Sequence, residues 1–184
     1  MKGHPRMNNQ FMDEIHTPYG SFAIVSAIPS HKVIVREMLI EAAEWMAGIG
    51  VQQWIPQQFT IEEINRYFAE REIYLLIREE QPVGMFTLQT SDPEYWGALN
   101  EEGFSYLHRL TVRSSWRGKQ LGSAMIEWAA KRTKQLNRGV LRLDCWDGNE
   151  KLNRMYESIG FVRKGSGEKQ GRGYNLYEMN ITTQ

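Results

Sequence analysis

Two linked stretches narrow the folds open to this chain: Leu110-Thr-Val-Arg-Ser-Ser-Trp-Arg-Gly-Lys-Gln-Leu-Gly-Ser123, and the later Asn149-Glu-Lys-Leu-Asn-Arg-Met-Tyr-Glu-Ser-Ile-Gly-Phe161. The first reads as a strand that runs into a basic, glycine-containing loop and then into a long helix. Such a helix start leaves backbone N–H groups without intrahelical partners, and these groups with the helix dipole suit a pyrophosphate. Arg117 and Lys119 add positive charge, and Gly118 and Gly122 have no side chain to hold a bulky anion away or to keep the helix off the sheet. The orphan donors from Gly118 through Lys119, Gln120, Leu121 and Gly122 to Ser123 sit where the helix begins.

The remaining elements alternate around this unit. Residues 21–27 read as a first strand. Ser30 is placed to cap a helix whose apolar positions Val33, Leu39, Ile40, Ala43 and Met46 recur at helical spacing, with Gly48 and Gly50 to end it. Thr60, followed by Glu62 and Glu63, opens a second helix. Residues 73–78 and 83–89 form a hairpin around Glu79-Glu80-Gln81-Pro82. Strands at 104–112 and 140–145 flank a helix over 121–136, a further helix spans 149–159, and strands at 161–164 and 174–180 close around a glycine-rich turn at 165–173. The order predicts one α/β domain with a mixed sheet of about six to seven strands and about four helices over residues 20–184. Residues 1–19 are expected to be a loosely ordered extension.

Composition excludes several classes. Lys+Arg 22 against Asp+Glu 22 leaves no net charge to recruit nucleic acid or an anionic membrane, so anion binding must be local. The single cysteine, Cys145, forms no internal disulfide, and no apolar run reaches spanning length or forms a secretion signal, so a cytoplasmic location is expected. Cys145 reads as a small core residue. His4, His16, His31 and His108 lack a paired ligand spacing, and no metal site is expected. Lys131, Arg132, Lys134, Arg138 and Arg142 read as a solvated basic face.

Val112, Arg117-Gly118-Lys119-Gln120-Leu121-Gly122, Asn149, Tyr156 and Gly160-Phe161 together resemble the GCN5-related N-acetyltransferase (GNAT) family. The element order matches that family over nearly the whole chain. Two departures stand out: Ser114 replaces the family's usual proline, and Gln120 its usual second loop glycine. Gln120 is expected to be already helical, which would remove the cost of a left-handed backbone there. The resemblance implies acetyl-CoA as co-substrate, its pyrophosphate on 117–123 and its pantetheine arm between the strands ending at Val112 and near Cys145. Backbone from Leu110 through Thr111 to Val112 would polarise the thioester carbonyl.

Asn149 would reach the pantetheine amides, serve as an N-cap, or do both. Tyr156, two turns along the same helix, matches the family tyrosines that protonate the departing thiolate; packing beside Phe161 accounts for it equally simply. His108 matches the position of a catalytic glutamate in several family members and is the nominated base, against the alternative of a buried, satisfied histidine, with Asp144 and Glu94 in reserve. Trp54, Glu94 and Trp96, with Trp45, Ile55, Phe59, Asp92 and Tyr95 nearby, fall in regions that line the family's acceptor cleft. Aromatic rings with carboxylates suit a cationic amine, and core packing explains the same residues.

The expected activity is direct transfer of acetyl to a primary amine, on a small molecule or a peptide, in a ternary complex. A non-catalytic acyl-CoA sensor of the same fold and a protein acetyltransferase acting within a complex are the alternatives. The exposed strands leave room for a homodimer.

Overall fold

The computed structural model describes residues 11–51 and 53–181. Eight strands hydrogen-bond in the order β1-β2-β3-β4-β5-β6-β8-β7, a mixed sheet with one more strand than the upper expectation. The chain forms two compact units, Met1–Thr87 with Arg109–Met125, and Leu88–His108 with Ile126–Gln184. Among the described residues no helix is long and apolar enough to cross a membrane.

The first unit holds β1 (Phe11–Thr17), β2 (Gly20–Ser26), α1 (Lys32–Gly48), α2 (Ile61–Glu70), β3 (Glu72–Arg78), and most of β4 (Gln81–Gln89). It also holds the end of β5 (Ser105–Val112) and the start of α4 (Leu121–Gln135). β1 corrects the expectation of a loose extension: Phe11 pairs with Val25 and Thr17 with Gly20, in an antiparallel ribbon. Buried Ile15 on this strand and Gly20 at φ +115 in its turn supply the anchor and the reversal. The first ten residues lie outside the described residues.

Val35, Met38, Leu39, Ala42 and Ala43 form the buried stripe of α1, spaced three and four apart, and pack with Ile64 and Tyr67 of α2 on Val25, Leu75 and Ile77. Val33 was expected in that stripe and is exposed instead. Ser30 does not cap α1, because Pro29–His31 makes a 3-10 turn in which His31 Nδ1 accepts from Ile28 N–H at 3.1 Å. Thr60 does cap α2, accepting from Glu63 N–H at 3.1 Å. The β3–β4 hairpin turns on Glu79 and Glu80 alone, at φ 49 and 64, the left-handed pair that a two-residue hairpin loop needs.

The second unit contains the single helical turn α3 (Pro93–Trp96), the start of β5, the rest of α4, β6 (Val140–Trp146), α5 (Glu150–Ser158), β7 (Val162–Lys169) and β8 (Arg172–Asn180). β5 and β6 pair in parallel at Ser105 with Leu141 and Tyr106 with Arg142. The stretch expected as a glycine-rich turn is mostly strand, since β7 pairs with β8 through Lys169–Arg172 and only Gln170 and Gly171 reverse the chain. The glycines there serve close side-chain approach instead. A Cβ on Gly167 would lie 2.4 Å from the Tyr174 hydroxyl, and one on Gly173 2.0 Å from an Asp147 carboxylate oxygen.

Candidate active site

In the first unit, α1 braces the loop that joins β5 to α4. Glu41 accepts from Arg113 Nη1 at 2.6 Å and from the Ser114 N–H at 2.8 Å. Ser114 thus contributes a donor that proline, the family's usual residue, lacks. Burial raises the Glu41 carboxyl, but the Ser114 and Arg113 hydrogen bonds outweigh it and hold the group below the ordinary carboxylate value. Arg117 lies over the Trp45 ring at 4.1 Å and Lys119 over Trp116 at 4.2 Å. Arg117 Nη1 is buried with no hydrogen-bond partner, and burial lowers the guanidinium pKa.

Gly118 has φ +77 and Gln120 φ +57, with α4 beginning only at Leu121. The expectation of a helical Gln120 is therefore overturned: the loop makes a second left-handed turn before the helix starts, at a cost of about 1–2 kcal/mol for a residue with a Cβ. Gly122 is also used differently from expectation. A Cβ at Gly118 or Gly122 would meet nothing within 4 Å, so neither glycine serves packing within the protein. Both glycines face open space, in the same loop as the unsatisfied Arg117 guanidinium.

In the second unit, His108 is held between two carboxylates. Its Nε2 lies 3.0 Å from Asp92 Oδ2 and its Nδ1 3.5 Å from Asp144 Oδ1. Their side chains are 13%, 4% and 14% exposed for His108, Asp92 and Asp144, so Asp92 is sealed while a reactant can still reach the imidazole. Asp92 leads into α3 and Asp144 lies on β6, so β4's exit loop and β6 converge on β5. All three ligand-type atoms lie within 4.8 Å of one another, a juxtaposition invisible to histidine spacing alone. The next residue, Arg109, has φ 56 in mid-strand, a left-handed backbone uncommon for a residue with a Cβ.

Tyr156 packs edge-on to Phe161 at 5.8 Å and tilted to Tyr177 at 5.9 Å, so the packing role is real. Its hydroxyl makes no hydrogen bond to a described residue, and burial pushes its pKa well above the usual phenol value, which keeps the proton on the oxygen. Asn149 caps α5, accepting from Leu152 N–H at 3.1 Å. Asn153, which the sequence reading passed over, ties α5 to β8: its amide oxygen accepts from Asn175 Nδ2 and from the Tyr177 hydroxyl, both at 2.8 Å. Cys145 is buried and its thiol is pushed up to about 12 by burial, then by Asp144 and Asp147, so it stays neutral.

The residues expected at the acceptor divide. Trp54 is buried in the first unit, edge-on to Phe59. Trp96 is buried in the second, against Tyr106 and beneath the Arg142 guanidinium at 4.3 Å, which is a core position. Glu94 is 67% exposed and bound to Lys169. Arg142 corrects the expected solvated basic face. It is buried and bonded to Glu178, Glu101, the Leu99 carbonyl and the Tyr106 hydroxyl.

A model of the acetyltransferase (GNAT) family matches residues 35–161. The chain belongs to this family. The acetyltransferase is 25% identical over 180 residues to a Bacillus subtilis protein named "Uncharacterized N-acetyltransferase YesJ", covering 95% of this chain and 98% of that one. It superposes on a GNAT-family acetyltransferase from Listeria monocytogenes with a TM-score of 0.78 at 27% identity, covering 91% of this chain and 99% of the other. A GNAT-family acetyltransferase from Elizabethkingia anophelis with acetyl-CoA bound shares the fold, with a TM-score of 0.52 and 15% identity over 66% of this chain and 83% of that one. The activity of the chain is thus N-acetyl transfer, and relatives in the family bind acetyl-CoA. In this acetyltransferase the signal that could have exposed the His108 cluster was Asp92 in the loop after β4 and Asp144 on β6, side chains whose partners depend on strand order.

Proposed function

We propose that this acetyltransferase moves acetyl from acetyl-CoA directly to a primary amine, with His108 as general base and Tyr156 as general acid. The observation that carries the reading is the clamping of His108 by Asp92 and Asp144. An imidazole held within 3.0 Å of a sealed carboxylate is fixed in place, and it can take a proton from the amine, directly or through one water. Asp144 then stands beside the imidazolium that forms. This is the base-and-orienter arrangement of a general-base site.

In the proposed reaction Arg117 and the N–H groups of 118–123 hold the pyrophosphate, and backbone of 110–112 binds the thioester end. The amine nitrogen attacks the thioester carbon, the C–S bond breaks, and the thiolate takes the Tyr156 proton. His108 takes the proton lost by nitrogen and passes it to solvent, and the Tyr156 phenolate takes a proton back from solvent before the next turnover. The high pKa of the Tyr156 phenol suits a group that must enter each turnover protonated. Asn149, already a cap, has its Nδ2 free to reach the pantetheine amides.

The test is steady-state CoA release over a panel of primary amines, with calorimetric titration by acetyl-CoA. His108→Ala and Tyr156→Phe should each lower kcat by about 10²-fold or more while sparing acetyl-CoA affinity. Unchanged turnover in both variants would refute the assigned roles. Binding without turnover of any amine or peptide would point to an acyl-CoA sensor.

A further inference from the structure

Two arginines of the first unit share one tyrosine, and among the described residues neither is ion-paired. Arg71 follows α2 and its guanidinium lies over the Tyr67 ring at 4.1 Å. Arg109, at a left-handed position of β5, lies over the same ring at 5.6 Å and over Trp54 and Phe59 at 5.2 and 5.7 Å. Its one hydrogen bond to a described residue runs from Nε to the Tyr67 hydroxyl, at 2.8 Å. Arg71 Nη1 is buried and has no hydrogen-bond partner. Neither guanidinium makes an ion pair with a described residue, and the nearby Glu63 is engaged by Arg66 at 2.6 Å.

Structural roles account for part of this. A cation after the last turn of α2 meets the negative end of the helix dipole, and the aromatic rings attract both guanidiniums through their faces. Those attractions act on the flat of the guanidinium and leave the in-plane N–H fork unused. Burial lowers the Arg71 pKa, and the charges of Arg109 and Arg66 lower it further, against the raising effect of Tyr67 and Glu63. A buried N–H without a partner, as at Arg71 Nη1, is costly to keep, and the fork geometry of arginine matches a carboxylate or a phosphate. The same mark, a buried Nη1 without a partner, occurs at Arg117 in the loop proposed to hold the pyrophosphate.

We infer that Arg71 and Arg109, with the Tyr67 hydroxyl between them, form an anion-binding site that receives a carboxylate or phosphate group carried by the acceptor. Arg109 directly precedes the 110–112 backbone, which places the site at the reacting end of β5. The assignment to the acceptor rests on the acetyl-transfer reading above; the anion site itself does not. The acceptor class that follows is a primary amine bearing an acidic group, of amino-acid or amino-phosphate type, and not a purely cationic polyamine.

The test is calorimetric titration of the protein with inorganic phosphate and with succinate at constant ionic strength, on the unsubstituted chain, Arg71→Gln, Arg109→Gln and Arg117→Ala. At least one anion should bind saturably, and Arg71→Gln and Arg109→Gln should each weaken it roughly ten-fold or more, the loss of one charge-assisted contact. Arg117→Ala should leave this binding unchanged, and Arg71→Gln should leave acetyl-CoA titration unchanged, which also reports that the variant is folded. No saturation with either anion, or weakening only by Arg117→Ala, would overturn the site. Whichever anion saturates identifies the group as carboxylate or phosphate. For the acceptor, free amino acids should be acetylated in preference to their amides, with the preference lost in Arg71→Gln. Equal or better turnover of the amides, or turnover of neither set beside intact anion binding, would overturn the assignment to the acceptor while leaving His108 and Tyr156 to their own test.

Discussion

Arg142 in one unit and the Arg71–Arg109 pair in the other are arginines laid on aromatic rings, and they behave as opposites. Arg142 lies over Trp96, Phe104 and Tyr106 with Glu178 at 2.8 Å, a backbone carbonyl at 2.6 Å and a phenol at 3.0 Å around its fork. Arg71 and Arg109 have the rings but, among the described residues, no ion-paired carboxylate. A buried cation whose fork is filled by the protein holds structure together, because leaving any partner behind would strand a polar group. A half-buried cation whose fork the described residues leave open can receive an anionic ligand.

Substitution should separate the two kinds. Arg142→Ala has the largest expected effect, about 3–5 kcal/mol of lost stability, because Glu178 and the Tyr106 hydroxyl lose their shared partner. Urea unfolding measures it, and a loss below about 1 kcal/mol would erase the contrast. Arg71→Gln should change stability by no more than about 1 kcal/mol, and toward gain as readily as loss, since a ring contact and a helix-end charge are given up while an unsatisfied buried donor is removed. A large loss there would make Arg71 a strut like Arg142.

The smallest effect concerns pH. Glu41 has a folded pKa below its unfolded value, so the stability it contributes is fully present above about 4.5, the ordinary value, and is lost as pH falls through the lower folded value. Protonation there releases Arg113 and the Ser114 N–H, so acetyl-CoA affinity should weaken in that same acid window, and Glu41→Gln should remove this part of the pH dependence. An affinity that is flat through the window would show that the brace from α1 does not set the loop.

Much of the fold was legible because its signals are local. The Thr60 and Asn149 caps, the β3–β4 hairpin and the helix after Gly118 each depend on residues within a few positions of one another. Gln120 was misread because a left-handed residue and a first helical turn differ by one backbone rotation that the side chain does not announce. The 165–173 stretch was misread because glycine's second use, admitting a neighbour's side chain, depends on which residue lies across the ladder; for Gly167 that is Tyr174. At the site, His108 and Tyr156 were nominated from their matching positions in the family, whereas the clamp by Asp92 and Asp144 was not visible.

By itself the sequence determined the family, the element order and the loop of 117–123, since each is written in short-range spacing and in residue types with fixed local preferences. Only the tertiary structure decided which charges are paired. Asp92 and Asp144 meet at His108, Arg142 leaves solvent for Glu178, and Arg71 and Arg109 meet over Tyr67 with no ion-paired acid among the described residues, because the reach of a charge is measured through space and its burial is set by every element packed around it.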